Sequence, residues 1–236
     1  MSKICLVIPV YNEEEQLQWS VEKVLKASKK NYNNFEILIA DNASTDKTLD
    51  LAKKLSKKYK EVNYIHLDQK GRGRALKKAW TSIDADIMCY MDVDLSTDLR
   101  YLKPLTDAIE EGYDISFGTR HQKDSKLERS VKRDILSKGY NYLLKIFLNF
   151  PYNDAQCGFK AINNQVAKEL VPEIENNEWF FDTELLIKGL HFGYRLKPIP
   201  VEWREDKGST VKIKRIIESY LRNIFRVRKE LKNNGL

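Results

Sequence analysis

The chain has 236 residues, of which 42% are hydrophobic, and it carries a formal net charge of +7 at neutral pH. This length suffices for one sizeable α/β domain with its own core. No apolar run approaches the roughly 20 residues of a membrane-spanning helix, and the N-terminus predicts a first strand rather than a signal peptide. The cysteines (Cys5, Cys89 and Cys157) and the three scattered histidines lack disulfide or zinc-site spacing. We therefore expect a protein of the reducing cytosol.

Strand-like and helical patterns alternate along the first half of the chain. Short apolar runs predict strands at residues 4–10, 35–40, 62–67, 87–91 and 114–117. Helical spacing predicts helices at residues 14–29, 45–58, 74–82 and 99–111. Ser44 or Thr45 can cap the second helix. Such alternation is typical of βαβ units and of a mostly parallel central sheet flanked by helices.

The second half of the chain is less regular. A long helical pattern covers residues 127–148, a further helix follows the apolar pair Phe180-Phe181, and residues 198–201 form a proline-containing segment. No internal repeat or low-complexity linker divides the chain, so the second half is interpreted as an elaboration of one domain.

Positive charge is concentrated at the C-terminal end. Between residues 212 and 232 there are eight basic and two acidic residues, a net +6 of the overall +7. Apolar residues recur there at helical spacing, which predicts a basic amphipathic C-terminal helix. Such a helix can pack its apolar stripe on the domain, or it can lie in the interface of an anionic membrane. The chain has none of the usual nucleic-acid-binding motifs, so we expect no nucleic-acid partner.

Two carboxylates, Asp92 and Asp94, directly follow the apolar run at residues 87–91. If that run is a buried strand, they lie at the carboxyl end of the sheet, where open α/β proteins bind ligands. A pair of carboxylates can bind a divalent cation, and the cation can bind a diphosphate. Taken alone, two acidic residues near a turn more often belong to a solvated loop or a helix cap.

The other strand ends of the first half carry polar groups of matching chemistry. They lie at residues 9–13, 41–46 and 68–74. A carboxylate can bond a base or a ribose hydroxyl, and a Gly-rich basic loop before a helix can bind phosphate. Four such strand ends together predict one pocket for a nucleotide sugar, which favours the metal interpretation of Asp92 and Asp94.

These segments resemble the GT-A glycosyltransferases of family 2, through PVYNEE at residues 9–14, DNASTD at 41–46 and DVD at 92–94. Within that family the chain is most similar to the dolichyl-phosphate hexosyltransferases. The narrower likeness lies in KGRG at 70–73, GTR at 118–120, DAQCGFK at 154–160, FDTELL at 181–186 and VEW at 201–203. The second-half motifs are somewhat closer to the glucosyltransferases than to the mannosyltransferases.

The resemblance covers residues 3–209 and implies one Rossmann-like GT-A catalytic domain at 1–211. Residues 1–120 would form its nucleotide-sugar-binding half and residues 121–211 its acceptor-side half, followed by the basic helix at 212–236. The donor-binding residues that it implies are Pro9, Tyr11, Glu13, Asp41, Asn42, Lys70, Gly71 and Asp92.

For the metal and the acceptor, the resemblance also implies particular residues. Asp92 and Asp94 match ligands of Mg²⁺ or Mn²⁺, whereas Ser96 stands where mannosyltransferases often have Gln or His, so the third ligand is open. The groups that match an acceptor-phosphate site are Arg120, Arg129, Arg133 and Ser137. Arg129 and Arg133 can equally be solvated charges on a helix.

The activity implied is inverting, metal-dependent transfer of a hexose from UDP-glucose or GDP-mannose to dolichyl or polyprenyl phosphate. A phosphate monoester is largely ionised at neutral pH, so it needs no general base. A hydroxyl acceptor would need a positioned carboxylate, and Asp182 is the candidate by motif, although an acidic residue at a helix start is more often a cap. The catalytic candidates are Asp92, Asp94, Arg120 and Asp182.

Two other functions stay open from the sequence. One is transfer to a sugar or protein hydroxyl, and the other is a non-catalytic nucleotide-binding or nucleic-acid-binding module. For the main interpretation we expect a peripheral location at the cytoplasmic face of a membrane, through the C-terminal helix and with a membrane-protein partner as a further candidate.

Overall fold

The computed structural model describes residues 2–121, 124–128, 131–204 and 213–233. The strands are β1 (Ile4–Val10), β2 (Phe35–Asn42), β3 (Val62–Leu67), β4 (Ile87–Met91), β5 (Ile115–Thr119), β6 (Lys126–Glu128), β7 (Phe159–Asn163), β8 (Leu196–Pro200) and β9 (Glu202–Arg204). The helices are α1 (Leu17–Asn31), α2 (Thr48–Lys58), α3 (Arg72–Ser82), α4 (Leu102–Glu110), α5 (Val131–Leu148), α6 (Asn164–Glu169), α7 (Phe181–His191) and α8 (Ile213–Asn233).

Seven strands form one central sheet in the order β3-β2-β1-β4-β7-β5-β8. All neighbouring pairs are parallel except those of β7, which runs antiparallel between β4 and β5. The two prolines of β8 fit an edge strand, where a missing amide donor costs no ladder bond. The prediction of a mostly parallel sheet flanked by helices is confirmed.

Helices cover both faces of the sheet. The apolar residues of α1, α2 and α4 pack on one face, and those of α3, α5, α6, α7 and α8 pack on the other. Strand β4 is buried along its whole length because its side chains alternate between these two cores: Cys89 and Met91 enter the first, and Met88 and Tyr90 enter the second. The carboxyl end of β4 therefore lies between two rigid layers.

The structure corrects several predicted helix starts, among them those of α1 and α4, which begin at Leu17 and Leu102 rather than at residues 14 and 99. The corrections to α2 and α5 have a clear cause. Helix α2 begins at Thr48, and neither Ser44 nor Thr45 caps it, since both side chains bond Asn12 instead. Asp46 Oδ1 accepts the Thr48 amide in their place, at 2.9 Å. Helix α5 begins at Val131 rather than at residue 127, because residues 126–128 pair in parallel with β9.

Helix α8 packs beside α5 through aromatic contacts. The ring centroids of Tyr140 and Tyr220 lie 4.9 Å apart, and those of Phe147 and Phe225 lie 5.3 Å apart. The buried stripe of α8 consists of Ile224, Val227 and Leu231. Its opposite side exposes Arg222, Phe225, Lys229 and Lys232. No helix within the described ranges is both long enough and apolar enough to cross a membrane.

Candidate active site

The loops that follow β1 and β2 are joined through Asn12. This residue has a φ of 55°, in the left-handed region that Asn tolerates better than most residues. Its amide donates to Ser44 Oγ at 3.0 Å, and its Oδ1 accepts the Thr45 amide at 2.8 Å. The Glu13 amide donates to Thr48 Oγ1 at 2.8 Å. The predicted strip from Pro9 to Glu13 is thereby fixed against the carboxyl end of β2.

Asp41 is fully buried at the end of β2. Its Oδ2 lies 2.5 Å from His66 Nδ1, on the neighbouring strand β3. Its Oδ1 has no hydrogen-bond partner among the residues that the structure describes. Because a buried acceptor without a partner is costly, Oδ1 is suited to an N–H group from a ligand.

The Gly-rich loop before α3 is held by the next residue of β2. Asn42 Oδ1 accepts the Gly71 amide at 2.7 Å. A Cβ on Gly71 would lie 2.6 Å from the Asn177 carbonyl oxygen, so only glycine lets the loop approach that segment. Lys70 Nζ lies 3.3 Å from the centroid of the Tyr11 ring. The structure therefore brings Tyr11, Asn42, Lys70 and Gly71 together, as the sequence predicts.

Asp92 and Asp94 lie just beyond the last residue of β4. The Asp92 amide donates to the Gly158 carbonyl at 3.2 Å, and a Cβ on Gly158 would lie 1.8 Å from Asp92 Oδ2. Gly158 is therefore the residue that makes room for this carboxylate. Asp94 Oδ1 accepts the Ser96 amide at 2.9 Å. Burial and the nearby Asp94 raise the pKa of Asp92, against the opposing effect of Arg72.

Asp182 lies in the first turn of α7, with a side chain only 2% exposed, and the cap position belongs to Phe180. Its Oδ2 accepts from Arg72 Nη1 at 2.6 Å, and its Oδ1 lies 2.9 Å from Lys160 Nζ and accepts from the Tyr90 hydroxyl. Burial opposes ionisation of this carboxyl, but Lys160 and Arg72 outweigh burial and hold its pKa below the usual value. Asp182 is thus an ionised, fully engaged carboxylate.

Arg72 connects the two predicted carboxylates. Its Nη2 lies 2.5 Å from Asp92 Oδ1 while its Nη1 donates to Asp182. The Gly-rich basic loop that the sequence predicts to bind phosphate includes Arg72, but its pairing with Asp92 and Asp182 was not predicted. The roles of Tyr90 and Lys160 were not predicted either. Lys160 lies in β7 with 0% exposure, and no sequence signal marks it, because a lysine is expected at the surface.

Arg120 follows β5 and forms a bidentate pair with Asp154. Its Nε lies 2.7 Å from Asp154 Oδ2, and its Nη2 lies 2.9 Å from Oδ1. The Arg120 amide donates to the same carboxylate at 3.0 Å. Burial opposes ionisation of Asp154, yet the guanidinium holds the pKa of this carboxyl well below its usual value. Asp154 begins the DAQCGFK segment, but its pairing with Arg120 was not predicted from the sequence.

Of the remaining acceptor-side candidates, Ser137 has a described side chain, whereas Arg129 and Arg133 do not. Ser137 is buried in α5, and its Oγ lies 3.2 Å from Nε2 of His121, the residue after Arg120. This contact brings Ser137 and the end of β5 together. Arg133 belongs to the first turn of α5, but its side chain lies outside the described part. Arg129 also lies outside the described residues.

The carboxylates at the end of β4 fit a divalent cation that is also bound by a substrate. No cluster of three His, Cys, Asp or Glu side chains able to hold a metal occurs in the described part of the chain. Mg²⁺ and similar ions are commonly bound by one or two carboxylates together with substrate phosphates, so two carboxylates are enough. Asp92 and Asp94 are the residues that would hold it.

The fold and this strand-end site are those of the GT-A class of glycosyltransferases. Residues 5–171 match the model of the family "Glycosyl transferase family 2", and the chain belongs to that family. It is similar in fold to glucosyl-3-phosphoglycerate synthase of Mycobacterium tuberculosis, crystallised with Mn²⁺, UDP and phosphoglyceric acid. That similarity has a TM-score of 0.71 at 14% identity and covers 96% of this chain and 78% of the other.

The curated relatives carry narrower names. Glycosyltransferase AglD of Haloferax volcanii is 34% identical over 212 residues, which are 88% of this chain and 34% of that protein. Dolichol-phosphate mannosyltransferase of Pyrococcus furiosus is 32% identical, covering 96% of this chain and 64% of the relative. Dolichyl-phosphate beta-glucosyltransferase of Saccharomyces cerevisiae is 28% identical, and the match covers 87% of this chain and 68% of the relative. The chain thus spans a third to two thirds of these relatives' lengths, and the predicted resemblance is confirmed.

Proposed function

We propose that the chain transfers a hexose from a nucleotide sugar to dolichyl or another polyprenyl phosphate, with inversion at the anomeric carbon. The observation that carries the proposal is the juxtaposition, at neighbouring strand ends, of Asp92, Arg72 and the Gly71 loop held by Asn42. The names of the curated relatives support the same acceptor.

The residues divide into a donor part and an acceptor part. Asp41, Asn42 and the Lys70-Gly71 loop bind the nucleoside and the phosphates. Asp92 and Asp94 hold Mg²⁺ or Mn²⁺, which when bound would neutralise charge on the leaving diphosphate. The acceptor phosphate lies near Arg120 and Ser137, and its oxygen forms the new bond to the anomeric carbon as the bond to the diphosphate breaks.

The state of Asp182 favours a phosphate acceptor over a hydroxyl acceptor. A hydroxyl would need a carboxylate free to take its proton, whereas Asp182 is buried and bonded to Arg72, Lys160 and Tyr90. A phosphate monoester is already ionised and needs no such base. The chemistry of the site therefore agrees with a lipid phosphate.

Asp41 is proposed to bind the base of the donor nucleotide. His66 contacts Oδ2 of Asp41, and Oδ1 is left to accept an N–H group of the base. A carboxylate can accept from uracil or from guanine, so this contact does not choose between them. We propose UDP-glucose before GDP-mannose because the second-half motifs are closer to those of the glucosyltransferases.

Helices α5 and α8 are proposed to face an anionic membrane surface at the cytoplasmic side. Exposed Arg222, Lys229 and Lys232 surround the exposed Phe225 on α8, and α5 exposes Tyr142 and Ile146. Basic side chains around exposed apolar ones are typical of surfaces that lie in a lipid interface.

The decisive experiment is incubation of the chain with labelled UDP-glucose or GDP-mannose, a polyprenyl phosphate and Mn²⁺ or Mg²⁺. We expect a lipid-linked sugar from UDP-glucose, and loss of that product on adding EDTA and on replacing Asp94 by Asn. Transfer to a sugar hydroxyl at an equal rate would contradict the proposed acceptor. Formation of product from GDP-mannose but not from UDP-glucose would contradict the proposed donor nucleotide. Absence of any lipid-linked sugar would contradict the function.

A further inference from the structure

Arg72 holds two carboxylates that differ in their surroundings. Its side chain is 10% exposed, with Nη2 at 2.5 Å from Asp92 Oδ1 and Nη1 at 2.6 Å from Asp182 Oδ2. Asp92 is 37% exposed at the rim of the site, whereas Asp182 is 2% exposed beneath it. One end of the guanidinium therefore faces the donor site, and the other end is anchored in the core.

The end of the Arg72 guanidinium that contacts Asp182 is the more strongly fixed. Asp182 is also bonded by Lys160 and Tyr90, and α7 positions its backbone. The guanidinium carbon of Arg72 lies 5.2 Å from the centroid of the Tyr90 ring and 4.8 Å from that of Trp179. Proximity to the two rings adds cation–π attraction that holds the guanidinium in place. Arg72 therefore remains in the site when its contact with Asp92 is lost.

At the rim of the site, Arg72 Nη2 occupies a carboxylate oxygen that a metal ion would need. Asp92 Oδ1 accepts from Arg72, and it is one of the carboxylate oxygens available to a divalent ion at the end of β4. An ion bound there would displace Arg72 Nη2 and would lie close to a fixed positive charge. A diphosphate relieves both effects, because its oxygens can accept from Nη2 and balance the two cations.

We propose that Arg72 is a cation of the donor site that holds Asp92 when the metal is absent and binds the donor's diphosphate when the metal is present. Asp182 is a positioning residue that anchors Arg72 and acts on the substrate only through it. The inference rests on the proposed function, because it takes the ligand to be a nucleoside diphosphate with a divalent ion. It adds that metal and diphosphate bind cooperatively, and that Arg72 is the source of this coupling.

The experiment is a titration of Mn²⁺ by electron paramagnetic resonance, with and without UDP or GDP. It compares the wild-type chain with Arg72→Gln, Arg72→Lys and a control, Lys78→Gln. Lys78 is an exposed residue of α3 that lies outside the Gly-rich loop. The control therefore removes one positive charge from the same helix and leaves the loop at the donor site intact.

The two effects of Arg72→Gln are expected to have opposite signs. Mn²⁺ alone should bind about tenfold more tightly, and the increase in Mn²⁺ affinity caused by the nucleotide should fall about tenfold, within the usual range of coupling between two ligands. Arg72→Lys should give intermediate values, since an ammonium keeps the charge but cannot bridge two carboxylates. Lys78→Gln should behave as wild type. A folded Asp182→Asn variant should also lose coupling.

Two outcomes contradict the inference and the function separately. Suppose that wild type binds Mn²⁺ cooperatively with a nucleotide, but a folded Arg72→Gln variant binds Mn²⁺ no more tightly than wild type. The proposed role of Arg72 is then wrong, whereas the proposed donor site is still supported. If wild type binds neither nucleotide with Mn²⁺, the proposed function itself fails, and this inference fails with it. Circular dichroism of each variant establishes that the fold is kept.

Discussion

Arg226 Nη2 lies 2.5 Å from Glu184 Oε2, and this ion pair joins α8 to α7 two residues beyond Asp182. Glu184 is fully buried, and its other neighbours include Lys188 Nζ at 3.1 Å and the amides of Glu175 and Asn176. The C-terminal helix is therefore connected directly to the element that carries the anchor of Arg72.

Replacing Arg226 by Ala should lower the free energy of unfolding by about 3 kcal/mol, because removing one partner leaves a buried charge incompletely compensated. Urea denaturation measures this change. Arg222→Ala, on the exposed side of the same helix, is the matched control and should change stability by less than about 0.5 kcal/mol. Equal effects of the two substitutions would mean that the pair with Glu184 does not stabilise the fold.

The pair between Arg120 and Asp154 predicts a pH dependence. The pKa of Asp154 is lowered in the folded state, so its contribution is present above the unfolded value of about 3.9 and is lost as pH falls below it. Asp154→Asn should cost about 3–5 kcal/mol at pH 7. Urea denaturation should show the difference from wild type narrowing below about pH 4.

An exposed carboxylate supplies the control for this measurement. Asp50 has a side chain that is 74% exposed and lies 3.9 Å from Lys53. Asp50→Asn should change the free energy of unfolding by less than about 0.5 kcal/mol, because exposed ion pairs contribute little. A difference for Asp154→Asn that did not narrow in acid would show that the pair with Arg120 does not hold the carboxylate ionised.

Gly158→Ala should damage the site more than the fold. The new Cβ would overlap the Asp92 carboxylate, so this side chain must move and binding of Mn²⁺ with UDP should fall at least about tenfold. Gly139→Ala is the matched control, because a Cβ there meets nothing within 4 Å and Ala stabilises a helix by about 0.5–1 kcal/mol. Unchanged Mn²⁺ affinity in Gly158→Ala would exclude Asp92 from the ligands.

The exposed basic residues of α8 predict binding to anionic vesicles. Changing Arg222, Lys229 and Lys232 together to Gln should weaken sedimentation with phosphatidylserine-containing vesicles about a hundredfold, since each basic side chain near such a surface contributes about 1 kcal/mol. Binding of the wild-type chain should weaken with salt. Changing Lys53, Lys54 and Lys57 of α2 instead is the control, and an equal loss there would indicate non-specific attraction.

The pocket at the strand ends could be predicted because its signals are local in sequence. The apolar run of β4 ends at Asp92, and each parallel strand brings its following residues to the same edge. The partners of Arg72 could not be predicted in this way. Asp92 and Asp182 lie 20 and 110 residues away from it, so no periodicity or spacing connects them.

Strand β7 also escaped prediction, and for a different reason. It has five residues, one of which is Lys160, and its last residue, Asn163, accepts the Val166 amide to start α6. Hydropathy places a lysine at the surface, whereas here Asp182 and the Cys157 carbonyl satisfy its ammonium inside the protein. Only the three-dimensional pairing reveals that this segment is a strand.

The position of β7 has a consequence for the order in which the chain can fold. Strands β4 and β5 are complete by residue 119, yet in the described sheet they are not neighbours, and residues 159–163 lie between them. A nascent chain of 120 residues on the ribosome would therefore present the unpaired edges of both strands, which are templates for aggregation. The sheet becomes continuous from β1 to β5 only after some forty further residues have been synthesised, so β5 joins the β3-β2-β1-β4 part of the sheet late.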